Sequence, residues 1–282
     1  MKVVVTGAHG QLGRELVTAL ADREVIAASR AELDVTDRDA VLQMLTTINP
    51  DVVVHAATYT DVDGCEIDPA RAFGVNAAGT RHVAEGARRT GAHLVCFSTD
   101  HVFDGRLDRP YHEWDDTNPA SVYGRSKLAG EREAVAAVPG CTIVRTSWLS
   151  GRHGSNIVKT ILRVASERDE LAFVDDQHGC PTFADDLAAM AVRLVATRAP
   201  GVFHVTNQGA TTWHQLACDV LVAAGLDPAR VRPIKTAELE PARPAPRPAN
   251  SVLDNAALAA LGYDLLPDHH EPLERLVKEL IA

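Results

Sequence analysis

No stretch of this chain approaches the ~18 uninterrupted apolar residues that a membrane-spanning helix needs. The opening MKVVVTGAHG has one lysine and the short run VVVT before its first glycine, too little for the apolar region of a secretory signal. A soluble, cytoplasmic protein with no membrane partner is therefore expected. Cysteine is scarce. The five present, Cys65, Cys96, Cys141, Cys180 and Cys218, are odd in number, scattered and never in a C-x-x-C pair. That spacing excludes a disulfide framework or cysteine zinc site and predicts buried free thiols in a reducing compartment. Positive charge is also short: 28 Lys and Arg against 38 Asp and Glu give a net charge of -10 and a pI near 5.6. Without a basic field, general nucleic-acid binding is excluded, and an anionic ligand must meet local arginines or backbone N–H groups. The twelve histidines form no H-E-x-x-H pattern, and His269-His270 falls in a polar turn. The sequence thus places no structural metal.

What remains is ample for a core: 282 residues, 46% of them hydrophobic. In the first 145 residues, continuous apolar runs alternate with longer segments of helical spacing, the signature of βαβ units and a parallel sheet covered on both faces. KVVVT (2–6), EVIAA (24–28), DVVVH (51–55), HLVCFS (93–98) and CTIVR (141–145) read as strands, and 11–21, 38–48, 69–89 and 121–137 as helices. After Arg145 the pattern loosens into short strands at 171–175 and 201–205 and helices near 154–167, 184–197 and 212–224. PARPAPRPANS (241–251), with four prolines, must be an extended loop. The expected organisation is a nucleotide-type domain over 1–146, with 183–200 packing back on it. A smaller lobe would comprise 147–182 and 201–282.

KVVVTGAHGQLG places Gly7, Gly10 and Gly13 between a strand and a helix starting near Gln11. Glycines there permit the tight turn and let a pyrophosphate approach the positive end of the helix. After the second strand stands Arg30, where an NAD-type site offers an acid. A guanidinium suits a 2′-phosphate, so NADPH is expected, with NADH possible. Asp34 and Val35 offer an acceptor and an apolar face to an adenine. The third strand runs into small Ala56 and Ala57 and then Thr58, Tyr59 and Thr60, which could line the same ligand.

The fourth strand delivers Thr99 and Asp100 to that edge, and Tyr123 and Lys127 follow in SVYGRSKLAG. At i and i+4 on a helix the phenol and ammonium share a face. An adjacent ammonium favours the phenolate and is expected to lower the phenol's pKa. Ketone reduction needs a hydride on carbon and a proton on oxygen. A nicotinamide cofactor, Tyr123 as proton donor, Lys127 as its tuning partner and Thr99 as a hydrogen-bond donor supply these without a metal.

Together these motifs resemble the extended short-chain dehydrogenase/reductase superfamily. TGAHGQLG, HAATYTDVDGCE, VNAAGT, STDHVFDG, VYGRSKLAGE, VRTSW, DDQHGCPT, TTWHQLA and RPANSVLD are similar, in order, to signature stretches of its dTDP-4-dehydrorhamnose reductase family. The resemblance implies an α/β fold, a Rossmann-like doubly wound parallel sheet with a smaller C-terminal substrate-binding lobe. It also implies NAD(P)H-dependent reduction at C4 of dTDP-4-dehydro-6-deoxy-L-mannose. By position it implies Gly10, Gln11 and Leu12 on the pyrophosphate, Arg30, Asp34 and Val35 on the adenosine half, and Thr58 to Thr60 further along. Thr99, Asp100 and Trp148 would touch the sugar, beside Tyr123 and Lys127. Arg243 and Arg247 offer charge to a substrate diphosphate, or serve only in a stiff connector.

Two departures lie near the implied sugar pocket: His101 stands where the family has tyrosine in STDYVFDG, and Leu149-Ser150 replace the VY of TSWVYG. Sugar 4,6-dehydratases carry Thr-Asp-Glu where this chain has Thr99-Asp100-His101, so elimination lacks its base. A 4-ketoreductase of another dTDP-deoxysugar and a non-catalytic NADP-binding regulatory subunit remain as alternatives. Some family members use magnesium at a dimer contact; this sequence assigns neither the magnesium nor a choice between monomer and homodimer.

Overall fold

The computed structural model describes residues 1–282. Five strands of the first half, β1 (Lys2–Thr6), β2 (Glu24–Ala28), β3 (Val52–His55), β4 (His93–Thr99) and β5 (Thr142–Thr146), alternate with helices. These helices are α1 (Gln11–Ala19), α2 (Arg38–Ile48), α3 (Val62–Ile67), α4 (Pro69–Phe73), α5 (Thr80–Thr90) and α6 (Val122–Ala137). Asp37 caps α2 by accepting from the Ala40 N–H, and Ser121 caps α6 by accepting from Gly124; both satisfy first-turn donors. The second half adds β6 (Leu149–Ser150), α7 (Ile157–Glu167), β7 (Leu171–Val174), β8 (His178–Gly179), β9 (Thr182–Phe183) and α8 (Ala184–Thr197). It continues with β10 (Gly201–His204), β11 (Thr211–Thr212), α9 (Trp213–Ala223), β12 (Val231–Ile234), α10 (Ala256–Ala260) and α11 (His270–Ile281).

Six strands form one parallel sheet in the order β10-β5-β4-β3-β1-β2. Alternation along β1 explains its two covered faces. Val3 and Val5 pack with α1 and α8 through Leu12, Leu16, Leu187 and Leu194. Val4 turns the other way, onto Val41 and Leu45 of α2 and Val83 and Ala87 of α5. A separate core joins α7, α9 and α11 with β7 and β12, through Ile161, Leu216, Val220, Leu273 and Val277.

Two expectations need revision. The strand at 201, assigned from sequence to the smaller lobe, pairs in parallel with β5 as the sixth strand of the main sheet; four residues carry no signal of which sheet they join. The single helix expected at 69–89 is α4, a π-helical turn at Gly74–Gly79 and then α5. Beyond residue 251, where the sequence reading assigned no element, the chain forms α10 and α11. The sheet reverses its winding between β1 and β3, and open α/β sheets bind ligands at such a crevice, beyond the strand carboxyl ends.

Candidate active site

The chain leaves β1 at Gly7 with φ +69°. A Cβ there would lie 2.7 Å from the Ala57 backbone, so glycine alone lets the ends of β1 and β3 meet. A Cβ on Gly13 would collide with the Gly7 carbonyl. Gly10 caps α1 without a side-chain hydrogen bond, which leaves the first-turn N–H groups for an anion at the positive helix end. That cradle fits a dinucleotide pyrophosphate. Gln11 spends its side chain elsewhere: Nε2 donates to the Leu149 carbonyl at 3.0 Å, and Oε1 accepts from Asn156 at 2.9 Å. It thereby ties the turn to the second lobe. Leu12 is buried in the core below.

At the far end, the Arg30 side chain is 75% exposed and 3.8 Å from Asp34, free to reach a phosphate. The Asp34 carboxylate is already engaged, accepting from the Thr36 N–H at 3.0 Å and hydroxyl at 2.7 Å; these bonds lower its pKa. Val35 is buried against Gly79, and its carbonyl lies 3.0 Å from His82 Nδ1.

The reacting centre lies where β4 ends and α6 begins. Thr99 donates to Asp100 Oδ1 at 2.9 Å and accepts from the His101 N–H at 3.2 Å. Tyr123 is 8% exposed, its ring edge-on to His101 with centroids 5.5 Å apart. Burial pushes the phenol well above its ordinary pKa, and interaction with the Thr99 hydroxyl opposes that rise. This departs from the expected tuning by Lys127. The ammonium turns to the Phe97 carbonyl at 2.7 Å, and burial brings it down to about 8. Asp100 Oδ2 and His101 Nδ1, both buried, have no hydrogen-bond partner. Two such atoms on one turn beside a phenol mark a place prepared for a polar ligand.

Sequence reasoning missed what holds these pieces together. Asn76, in the π-helical turn, accepts from the Thr58 hydroxyl at 2.9 Å and the Tyr59 N–H at 2.8 Å. Its amide donates to the Tyr59 carbonyl and Ser126 Oγ, each at 3.0 Å. Ser126 in turn donates to the Tyr123 carbonyl at 2.8 Å. The signal was an asparagine among small residues in VNAAGT; π-turns recur at functional sites. Tyr59 carries Arg71 over its ring at 4.3 Å, and Thr60 is exposed. Beneath Thr99, the Arg145 guanidinium grips Glu131 at 3.0 and 2.8 Å, and Ser98 donates to the same carboxylate. His55 links Thr6 and Thr80 at 2.7 and 3.1 Å; burial takes its pKa down to about 3, so it is a neutral brace.

Trp148 has φ +45°, a strained backbone for a bulky residue. Its indole stacks on Trp213, 3.5 Å between centroids and 9° apart, and Trp213 Nε1 donates to Gln177 at 3.1 Å. These three line a pocket with His101, Arg243, Arg247 and Ser251. The proline-rich loop is anchored opposite, where Arg247 pairs with Asp63 at 3.0 Å and the Ala245 N–H donates to that carboxylate. Arg243 is exposed. The partnership of Trp148 with Trp213, far apart in sequence, had no local signature. Two indoles, two guanidiniums and an imidazole around one opening can hold a sugar flat and neutralise a diphosphate.

Comparison with known proteins places the chain in a family. The family model described as the RmlD substrate binding domain matches residues 1–282. A dTDP-4-dehydrorhamnose reductase of Streptomyces griseus is 47% identical over 272 residues, 93% of this chain and 88% of the relative. A probable dTDP-4,6-dihydroxy-2-methyloxan-3-one 4-ketoreductase of Streptomyces antibioticus is 42% identical, covering 100% of this chain and 96% of the relative. Among solved structures, the dTDP-4-dehydrorhamnose reductase of Bacillus anthracis in complex with NADP superimposes with a TM-score of 0.95 at 37% identity, over 99% of both chains. No helix is long and apolar enough to cross a membrane. The chain belongs to the RmlD substrate binding domain family and is similar over most of its length to the reductases just named.

Proposed function

We propose that this chain reduces the C4 ketone of dTDP-4-dehydro-6-deoxy-L-mannose to give dTDP-L-rhamnose, using NADPH. The observation that carries the reading is the meeting of Tyr123 with Thr99 at the end of β4, with Lys127 held on the Phe97 carbonyl and the Trp148–Arg247 pocket adjoining through His101. NADPH, when bound, supplies the hydride for C4. Backbone N–H groups of Gly10 to Leu12 would hold its pyrophosphate, and Arg30 its 2′-phosphate. Asp34, Val35, Thr58, Tyr59 and Thr60 would line the rest of the cofactor.

Tyr123 donates its proton to the ketone oxygen. Its raised pKa suits that direction: the phenol stays protonated at neutral pH, and a developing alkoxide is a stronger base than the phenolate left behind. Thr99 steadies the same oxygen by hydrogen bonding. Lys127, held by the Phe97 carbonyl, would meet the nicotinamide ribose. Asp100 and Trp148 position the sugar, and Arg243 and Arg247 meet its diphosphate. Five free thiols fit a reducing compartment and a cytoplasmic location.

The test is to generate the 4-keto-L-sugar nucleotide in situ, add the protein with NADPH, and identify the product. Consumption of NADPH with formation of dTDP-L-rhamnose is expected. No cofactor oxidation contradicts the enzyme reading. A product epimeric at C4 leaves a ketoreductase but transfers it to another dTDP-deoxysugar. That second reading is favoured by the 42% identical ketoreductase relative and by His101 against Tyr123.

A further inference from the structure

Away from the strand ends, Asp219 of α9 meets His269 and His270 at the start of α11, and their free ligand atoms lie within 4.8 Å of one another. Each residue has its other polar atom already fixed. Gln215 donates to Asp219 Oδ1 at 2.8 Å, the Gln208 carbonyl lies 3.1 Å from His269 Nδ1, and Asp268 lies 2.5 Å from His270 Nδ1. Asp219 Oδ2 and both Nε2 atoms are thereby turned toward a common point. A carbonyl or carboxylate on the remote imidazole nitrogen is the outer-shell arrangement that orients metal-binding histidines.

The free atoms do not satisfy one another. Asp219 Oδ2 lies 4.0 Å from His269 Nε2 and 3.8 Å from His270 Nε2, beyond hydrogen-bond distance. Asp219 Oδ2 and His269 Nε2 are buried without a partner, and the His269 side chain is only 2% exposed. Gly209, at φ +90°, lets the loop close on this pair, since a Cβ there would lie 2.7 Å from His269 Nδ1. In a tetrahedral site with ligand bonds of about 2.0–2.1 Å, donor atoms sit ~3.3 Å apart. Closing the observed set requires shifts of roughly 0.5–1.5 Å.

We propose that Asp219, His269 and His270 bind a divalent transition metal of the zinc class, with water as a further ligand, and so clamp α11 onto α9. Two imidazoles and one carboxylate suit Zn2+, Co2+ or Ni2+ rather than Mg2+ or Ca2+. The clamp would fix the helix that supplies Leu273, Leu276 and Val277 to the second core. It would fix Arg275 as well, which pairs with Asp185 and Asp186 of α8. The inference is independent of the ketone chemistry.

The test is titration of the chelator-treated full-length chain with Co2+, read by visible absorption, then competition by Zn2+ and a thermal melt with and without Zn2+. One saturable equivalent and a higher Tm with Zn2+ are expected, with no binding of Mg2+ at the same concentration. His270→Ala, at a side chain 61% exposed, and Asp219→Asn should each weaken binding by more than about 100-fold. Asp268→Asn should weaken it by roughly 10–100-fold, as loss of an outer-shell partner does. Absence of saturable binding overturns the proposal and leaves a water-bridged polar cluster. Wild-type affinity in both ligand variants also overturns it, and loss in Cys218→Ala would then place the metal on the His214–Cys218 pair, 3.7 Å apart.

Discussion

Replacing Asn76 by alanine removes a side chain 1% exposed and with it four hydrogen bonds of 2.8–3.0 Å. At a net ~0.5–1.5 kcal/mol each, the four together contribute about 2–6 kcal/mol. Thr58 and Tyr59 are half-buried, so water replaces part of what they lose. Ser126 keeps its bond to the Tyr123 carbonyl. The expected destabilisation is therefore about 2–4 kcal/mol, which a protein with ~5–15 kcal/mol of stability survives. A urea denaturation series, with midpoint and slope compared to wild type, measures it. Because the bonds tie the loop after β3 to α6, NADPH should also bind more weakly. A loss below ~0.5 kcal/mol with unchanged NADPH affinity would refute the view of Asn76 as the link between cofactor loop and catalytic helix.

Three further outcomes are expected. Glu131→Gln leaves the Arg145 guanidinium buried without its countercharge and should cost about 3–5 kcal/mol by the same urea assay; a neutral effect would contradict the pairing. Lys127 has a folded-state pKa of about 8 against an ordinary 10.5, so if its charge is required kcat/KM falls as pH rises through about 8. Between those values the unfolded chain binds more protons, and this residue's contribution makes stability rise with pH; a flat kcat/KM across that window would count against the ammonium. Arg30→Ala should weaken NADPH binding in direct titration and leave NADH little changed, and equal loss for both would remove Arg30 from the 2′-phosphate.

The five leading strands were legible because strands covered on both faces are continuous apolar runs. VVV at 52–54 can be nothing exposed, and β3 begins there. The glycine turn was legible for a local reason as well, since Gly7 at positive φ and Gly13 against a carbonyl are constraints within one short segment. What stayed hidden depends on contacts distant in sequence. Nothing near Gly201 announces pairing with Thr142, and nothing near Trp148 announces Trp213. The expected influence of Lys127 on Tyr123 came from helical spacing, which puts two side chains on one face but not their ends together. Lys127 instead reaches Phe97, and burial governs the phenol. Likewise His269-His270 looked like a polar turn until α9 brought Asp219 to it.

The most direct test of the central claim is Tyr123→Phe, assayed with NADPH and the 4-keto sugar nucleotide beside wild type, with NADPH affinity measured separately. The account predicts unchanged NADPH affinity and a kcat lower by ~10² or more, as expected when a positioned general acid is lost. Wild-type turnover in that variant would contradict it.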